Sequence, residues 1–450
     1  MTWSALFGRE VLLDDIEMTD WRMVVESFPD GRQTFPRVTG PPRTPRNGPG
    51  LVVTTLKYVR AHRGELVVND YGSDWFMVAP NLDVTVARVG SYRGTMKFNG
   101  GTIAIQKYVP MAADLNAAFK LVDGKIVFER IDLITDGAVS QITGVIEPAI
   151  WPEQLYQVKS RMQFPKMREI FFARDQFTLS GEGMFAGTFH MFEGGRELKG
   201  DFSSVVAGVN DFRFPKLAGS VVWVREKMEV THATSGFYGG TTEFRYVMAP
   251  LGNPTTPARA TFDANYTDVD LSALSDFFEM RGLRVAGRAT GHNEMAWTLG
   301  KFADRIGTGA VTFSAPAGVA LQGPQVPAGA AAAARDRYTI PGPFSNHTPL
   351  APLPVAGNLT YSFDPEAIRF EPSQVFTEDT YLAFEGATAY GERSKMPFRM
   401  TTRSWQESDR MLAGIMTAFG ATTKAIPVDG VGRFEGVLLG AFNRDRKSVV

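Results

Sequence analysis

The stretch from Leu217 to Leu251 constrains the fold of this chain most, because it contains the local signals of a complete three-strand unit. We predict strands at Ser220 to Val224, Lys227 to Ala233 and Thr241 to Ala249. A charged turn joins the first two strands and a glycine-rich turn joins the last two. The chain is therefore expected to build β-structure from local hairpins.

The third predicted strand indicates which side chains share a face. Successive residues of a strand point to opposite faces of the sheet. One face therefore carries Phe244, Tyr246 and Met248, and the other carries Glu243, Arg245 and Val247. The predicted sheet thus has one apolar face and one more polar face.

The same order of strands and turns recurs at residues 124–147 and 357–386. Units that share a pattern without sharing a sequence favour a mainly β fold, an elongated, twisted antiparallel repeat sheet with a few short amphipathic helices. Further apolar positions alternate with polar ones in the same way: Met96, Phe98, Phe189, Met191, Tyr361, Phe363, Leu382, Phe384, Phe398 and Met400.

The chain of 450 residues exceeds the ~250 to 300 residues at which one hydrophobic core usually stops growing. It must divide into domains or extend by repetition. We predict this order of segments: a strand-like start and a Pro/Gly-rich loop (1–50), strands (51–150), a helical insertion (151–172), strands with a helix at 269–281 (173–313), a low-complexity loop (314–354), and strands with a helix at 404–419 (355–450).

Two of the predicted helices depend on spacing and capping. Leu155, Val158 and Met162 recur at helical spacing after a proline that suits the first helical position. At residue 404, Ser404 followed by Glu407 predicts a capping box, in which the glutamate reaches back to the serine backbone.

Composition excludes several classes of function. The chain has no cysteine, so disulfides and thiolate metal sites are excluded. A formal net charge of -1 provides no basic face for nucleic acid. The sequence has no apolar run of 18 or more residues and no signal peptide at its start. Because strand patterns begin and stop close to its two ends, we expect an internal fragment of a longer protein.

Motifs for catalysis or cofactors are weak. Gly181, Gly183 and Ala186 match a loose dinucleotide-binding pattern, but the residues that follow alternate like a strand rather than starting a helix. A calcium-loop pattern around Asp268 and Asp270 lacks the required glycine and glutamate. These two carboxylates suit the start of the following helix instead. We therefore predict no enzyme, no cofactor and no metal.

Three stretches resemble the repeat of AsmA-like and TamB-like (translocation and assembly module) envelope proteins. They are residues 198–252, which include LAGSVVWVREKMEVTHATSGFYGGTTEFRYVMAPLG, residues 376–442, which include FTEDTYLAFEGATAYGERSKMPFRMTTRSW, and residues 122–152, VDGKIVFERIDLITDGAVSQITGVIEPAIWP. Patterns of glycine, aromatic residues and alternation carry this resemblance.

The resemblance implies a U-shaped β-groove (β-taco) in the envelope of a Gram-negative-type bacterium. It implies an inner-membrane anchor, outside this fragment, and a periplasmic groove that carries phospholipids between the inner and outer membranes. TamB-like members are also linked to outer-membrane protein assembly, which implies a protein of the assembly machinery as an alternative partner.

Three hypotheses follow for the apolar face. In a lipid conduit, this face contacts acyl chains. In a scaffold for outer-membrane proteins, an open sheet edge pairs with a client strand. In a filled sandwich, the same side chains pack against a second sheet. The lining residues expected for a conduit are Met96, Phe98, Phe189, Met191, Phe244, Tyr246, Met248, Tyr361, Phe363, Leu382, Phe384, Phe398 and Met400.

Overall fold

The structure is a computed structural model that describes residues 10–13, 15–34, 53–72, 74–89, 91–105, 108–173, 177–252, 255–278, 280, 283–319, 321, 352–389, 394–418, 426 and 429–440. The chain divides into two compact units. Unit 1 contains Met1–Thr231 and Met248–Ala258, and unit 2 contains His232–Val247 and Arg259–Val450. Both units are mainly β.

Unit 1 consists of successive strands, of which the first four are short and the later ones are longer. They are β1 (Glu10–Leu13), β2 (Ile16–Thr19), β3 (Arg22–Ser27), β4 (Val53–Leu56), β5 (Tyr58–Asp70), β6 (Trp75–Val89), β7 (Ser91–Ile105), β8 (Met111–Val122), β9 (Lys125–Thr135), β10 (Ala138–Ile146), β11 (Gln154–Gln163), β12 (Leu179–Phe192), β13 (Gly195–Val209) and β14 (Phe212–Val224). Two further strands, β15 (Met228–Phe237) and β16 (Gly240–Ala249), contain residues of both units.

From β5 to β14, each strand pairs antiparallel with the next one along the chain. Short turns suffice for such pairing. The first strands differ from the expected antiparallel pattern, because β2 and β3 both pair parallel with β5 and β1 pairs parallel with β4. A parallel pair needs a longer crossover connection, and residues 28–57 provide it between β3 and β5.

The core of unit 1 lies against one face of this sheet. Leu82 and Phe98 are buried there with Ala79 and Ala113, and half-buried apolar side chains surround them. A second cluster centres on Phe119, with Phe128, Ile131 and Ala117. The two clusters share Met96, Leu115, Leu133 and Val84 at their edges. One apolar face therefore continues across several strands.

The sheet of unit 1 curls until two distant turns meet. The Arg225 guanidinium donates to the backbone carbonyl of Gly72 at 3.3 Å and lies 3.8 Å from the Asp74 carboxylate. Arg225 follows β14, whereas Gly72 and Asp74 lie between β5 and β6. Strands separated by more than 150 residues of sequence are therefore brought together within this unit.

Unit 2 repeats the architecture with shorter strands. They are β17 (Arg259–Asp270), β18 (Val285–Ala286), β19 (Arg288–Thr298), β20 (Lys301–Ser314), β21 (Leu353–Pro354), β22 (Ala356–Phe363), β23 (Ala367–Phe376), β24 (Thr380–Ala389), β25 (Ser394–Thr402) and β26 (Gly432–Gly440). Apart from β18 and β21, which form a separate parallel pair, successive strands pair antiparallel.

The described part of the chain contains three α-helices, α1 (Phe164–Phe171), α2 (Leu271–Phe277) and α3 (Trp405–Ala418). A 3₁₀ turn spans Pro148–Ile150. The prediction of a mainly β repeat fold with a few short helices is confirmed. Among the described residues, no helix has the length and apolar character needed to span a membrane.

The helical insertion predicted at 151–172 is wrong for most of its length. Leu155, Val158 and Met162 lie in strand β11, which pairs with β10 and β12 along its whole length. Three apolar residues at helical spacing are a short match, and the backbone hydrogen bonds of two flanking strands outweigh it. A helix does follow, at Phe164–Phe171, and Pro165 lies in its first turn.

The other two helices were predicted correctly in position and are shorter. Residues 269–270 still belong to β17, and α2 begins at Leu271. At α3, Ser404 caps the helix because its hydroxyl accepts from the backbone N–H of Glu407 at 3.2 Å. The reciprocal half of the capping box is absent, since the N–H of Ser404 donates to Thr402 Oγ1 instead.

Parts of the predicted loops lie outside the described residues. These parts are 35–50 of the Pro/Gly-rich loop and 322–351 of the low-complexity loop. The predicted ends of two helices, at Gly282 and at Phe419 and Gly420, also lie outside them.

Candidate functional site

The strand register of unit 1 places four of the predicted lining residues on one face. Phe98 is paired with Leu115. From Leu115 the row continues through directly paired residues to Leu133, Ser140, Ser160 and Phe185. Met96 lies one pleat away on β7, and Phe189 and Met191 lie on the same face of β12 as Phe185. We call this surface the apolar face of unit 1.

The four residues differ in how far they are covered. Phe98 and Met191 are buried, each 3% exposed, as core residues would be. Met96 and Phe189 are half-buried. Phe189 stacks on Tyr156 with ring centroids 6.3 Å apart. The apolar face is therefore covered at some points and partly open at others.

Six predicted lining residues share one face of unit 2. Leu382 is paired with Met400, and Phe384 is paired with Phe398. Tyr361 is paired with Phe370, whose ring lies 5.4 Å from that of Phe384. Phe363 follows Tyr361 on the same face of β22 and is buried, whereas the other five are half-buried. We call this surface the apolar face of unit 2.

Strand β16 adds two aromatic residues to the apolar face of unit 2. The Phe244 ring lies 5.4 Å from that of Phe262, and the Tyr246 ring lies 6.0 Å from that of Trp297. Both are half-buried. Met248, the third residue predicted on this strand, belongs to unit 1 and is buried at 3% exposure.

The opposite face of each sheet is more polar, and in unit 1 it also carries exposed apolar side chains such as Val139 and Met184. In unit 1 it carries ion pairs between Arg130 and Asp132 at 2.7 Å and between Arg161 and Glu182 at 2.7 Å. In unit 2, the neighbour of Phe244 on this side is Glu243, which is exposed. The division into two faces predicted from alternation is therefore present in both units.

Helices and short segments cover parts of the apolar faces. In unit 1, the rings of Tyr108, Phe171 and Trp223 meet edge to face, with centroids 5.1 to 5.8 Å apart. In unit 2, Leu382 packs against a cluster of Leu283, Leu353 and Met411. Met411 belongs to α3, so this helix covers the Leu382 end of the face.

Each apolar face also holds a hydrogen-bonded pair of a tyrosine and a carboxamide. In unit 1, the Tyr156 hydroxyl donates to Gln154 Oε1 at 2.7 Å. In unit 2, the Tyr361 hydroxyl donates to Asn293 Oδ1 at 3.3 Å. Burial raises the pKa of the Tyr156 hydroxyl well above its ordinary value and that of Tyr361 to about 12. Both tyrosines are therefore neutral at physiological pH.

One cation lies in the same row as the unit 1 pair. Gln154 is paired with Met191, and Met191 is paired in turn with Arg196. Burial lowers the pKa of the Arg196 guanidinium below its ordinary value. The Tyr108 hydroxyl acts in the opposite direction and raises this pKa. A guanidinium titrates so far above neutral pH that it keeps its charge here. The polar residues of this row thus lie at the edge of an apolar surface.

Sequence reasoning missed Gln154, Tyr156 and Asn293. The helix predicted over residues 151–172 hid the first two, although Gln154, Tyr156, Val158, Ser160 and Met162 occupy every second position of a strand. Asn293 lies in a predicted strand region. A single polar residue on the apolar face of a strand cannot be recognised as a site residue until the pairing of that strand with its neighbours is known. Asn293 aligns with Ala264 and Gly309 on the neighbouring strands.

The described part of the chain contains no group of three or more histidine or acidic side chains able to hold a metal ion. Gly181, Gly183 and Ala186 lie within strand β12, in agreement with the strand interpretation of that motif. No family model, curated protein or solved structure matches this chain.

Proposed function

We propose that the apolar faces of this protein carry lipid acyl chains, as expected for a conduit of phospholipids between two membranes. The observation that carries this proposal is the half-burial of large apolar side chains that share a face. Met96 and Phe189 in unit 1 and Phe384 in unit 2 represent them. Half-buried apolar side chains that adjoin one another along a row of strands form a contiguous patch, and such patches are typical of ligand- or membrane-binding surfaces.

Energetics support acyl chains as the ligand. Each methylene removed from water contributes about 0.8 kcal/mol. A chain that lies against successive apolar positions is held without a specific polar contact. Since neighbouring positions resemble each other, movement along the face meets small barriers.

The competing interpretation is a filled sandwich. A second sheet would pack about 10 Å away and bury the facing side chains. Phe98, Met191, Met248 and Phe363 meet that description, since each is less than 10% exposed. Half-burial of the remaining predicted lining residues favours the conduit for those positions. Leu382 lies under α3, so it contacts a lipid only where that helix moves.

Site-specific photocrosslinking in cells tests the proposal. A photoreactive phenylalanine analogue replaces Phe244 or Phe384, and matched controls carry it at the exposed neighbours Glu243 and Glu385. We expect phospholipid adducts at Phe244 and Phe384 and none at the two controls. Crosslinks that stay within the protein at both positions would establish a filled core and reject the conduit.

A second candidate function is a scaffold for the assembly of outer-membrane proteins. The observation in its favour is that β26 pairs with β25 on one side, and the described residues provide no strand for its other edge. Val437 and Leu439 of β26 are 47% and 60% exposed. Open strand edges accept further strands. Proline at Val437 should abolish client binding in this case and leave lipid crosslinking at Phe244 unchanged.

A further inference from the structure

Among the described residues, each unit contains one buried carboxamide whose N–H donors have no hydrogen-bond partner. Gln154 is 5% exposed and Asn293 is 2% exposed. Within the described residues, neither Gln154 Nε2 nor Asn293 Nδ2 has a hydrogen-bond partner. A buried donor without a partner costs free energy. The occurrence of such a donor beside a tyrosine of the apolar face in both units therefore points to an acceptor that is supplied from outside the chain.

The tyrosine beside each carboxamide determines which atoms are left available. Because the hydroxyls of Tyr156 and Tyr361 donate to the carboxamide oxygens, each oxygen is occupied and each NH₂ group remains. The pair therefore presents donors, and it selects a ligand with hydrogen-bond acceptors. In unit 2, the indole N–H of Trp297, on the same face of β19 as Asn293, adds a second donor that has no partner among the described residues.

The surroundings of the pairs select an uncharged acceptor that is attached to an acyl chain. Tyr156 lies against Phe189, and Tyr361 stacks on Phe363 with centroids 6.4 Å apart. A free carboxylate would lose its hydration among these rings, and the cation that shares the row of the unit 1 pair, Arg196, lies two strands away from Gln154. An ester carbonyl loses much less, and its oxygen accepts the N–H bonds that the pair offers.

We propose that Gln154 with Tyr156, and Asn293 with Tyr361, are stations that bind the ester carbonyl groups of a glycerolipid as its acyl chains lie on the apolar face. This inference rests on the proposed conduit function and adds a preference for one class of lipid. The stations would hold the lipid at defined points along a surface that is otherwise uniform.

A comparison of ester-linked and ether-linked lipids tests the stations. The full chain is titrated with diacyl phosphatidylglycerol and with its dialkyl ether analogue of equal chain length, which lacks the carbonyl oxygens. One hydrogen bond contributes enough to make the ester lipid bind about three- to tenfold more tightly. Palmitate serves as a third ligand, because it offers a carboxylate in place of an ester.

The variant for this test replaces both polar partners in both units by apolar residues of similar shape: Gln154→Leu, Tyr156→Phe, Asn293→Leu and Tyr361→Phe. Removing both partners of a buried pair is nearly neutral for folding, so the melting temperature should change little. We expect the ester preference to fall to about one while the ether lipid binds as before. Gln141→Leu, an exposed glutamine on the opposite face of β10, should retain the full preference.

The outcomes separate the two proposals. Equal binding of both lipids by the unaltered protein, or an ester preference that survives in the fourfold variant, would overturn the stations and leave the conduit intact. Binding of palmitate that depends on the pairs, without an ester preference, would overturn the assignment to esters. Failure of the unaltered protein to bind any of these ligands would overturn the conduit, and the stations with it.

Discussion

The Glu407 carboxylate of α3 accepts a 2.7 Å hydrogen bond from the hydroxyl of Thr380 on β24, and both residues are almost fully buried, at 4% and 1% exposure. The Thr377 hydroxyl donates to the same carboxylate oxygen. This carboxylate therefore attaches the start of α3 to the first residue of β24. Leu382, on the same strand, packs against the cluster that contains Met411 of α3.

Replacement of Glu407 by alanine should loosen α3. Two buried hydroxyls would lose their acceptor, at a cost of about 2 kcal/mol or more, so backbone amides of α3 should exchange hydrogen roughly 30-fold faster. Hydrogen-exchange mass spectrometry measures this change. Glu407→Gln keeps an acceptor oxygen and should show a smaller effect, and unchanged exchange in α3 of the alanine variant would contradict this attachment.

Replacement of Arg225 by alanine should open the contact between two turns of unit 1. The side chains of Arg225 and Asp74 are 42% and 51% exposed, so we expect a loss of stability of at most about 1 kcal/mol. Amides of Tyr71, Gly72 and Asp74 should nevertheless exchange a few-fold faster, because the Gly72 carbonyl loses its donor. Arg161→Ala, which removes an exposed ion pair on the polar face, should leave these amides unchanged.

Replacement of Gly309 by alanine should displace the Tyr361 ring. A Cβ atom at this position would lie 2.4 Å from Tyr361 Cζ, well inside van der Waals contact. Overpacking of this kind costs about 1 to 3 kcal/mol and should lower the melting temperature. Ala310→Val adds a larger group at the exposed neighbour on the opposite face, and we expect no comparable loss. Equal melting temperatures for both variants would show that Tyr361 has room to move.

Asp270 should stabilise α2 in a pH-dependent way. Its carboxylate accepts from the N–H and the hydroxyl of Ser272, at 2.8 and 2.7 Å, and these hydrogen bonds lower the pKa of the carboxyl below its ordinary value. A carboxyl group whose pKa is lower in the folded than in the unfolded protein stabilises the fold at pH values above its unfolded pKa of about 3.9. This stabilisation is lost as the pH falls through the folded pKa.

Asp270→Ala should therefore lower the free energy of unfolding by about 1 kcal/mol at pH 7. The difference in this free energy between the variant and the unaltered protein should shrink below about pH 3.9. Denaturant unfolding of the two proteins across this pH range measures the difference. Asp268→Asn removes the charge of a carboxylate that is 67% exposed and keeps a residue type that tolerates the positive φ of 57° at this position, so it should have little effect at any pH. A difference for Asp270→Ala that is constant with pH would contradict the cap.

Prediction from sequence succeeded where a signal is local. The turn at Arg225 and Glu226, the cap at Ser404 and the alternation of β16 each involve residues close together in the chain, and all three are present. It failed over residues 154–163, because the strand there is held by hydrogen bonds to two other strands, and these outweigh the helical spacing of three apolar residues.

The sequence by itself determined that the chain forms strands with an apolar side and a polar side, since alternation follows from the pleat of each strand. Only the tertiary structure decided the strand register. This register places Phe98 and Phe185 on one face of unit 1 and Leu382 and Met400 on one face of unit 2, and it depends on contacts between residues distant in the chain. The unused donors of Gln154 and Asn293 are likewise visible only there. Whether a buried polar group has a partner depends on every strand around it.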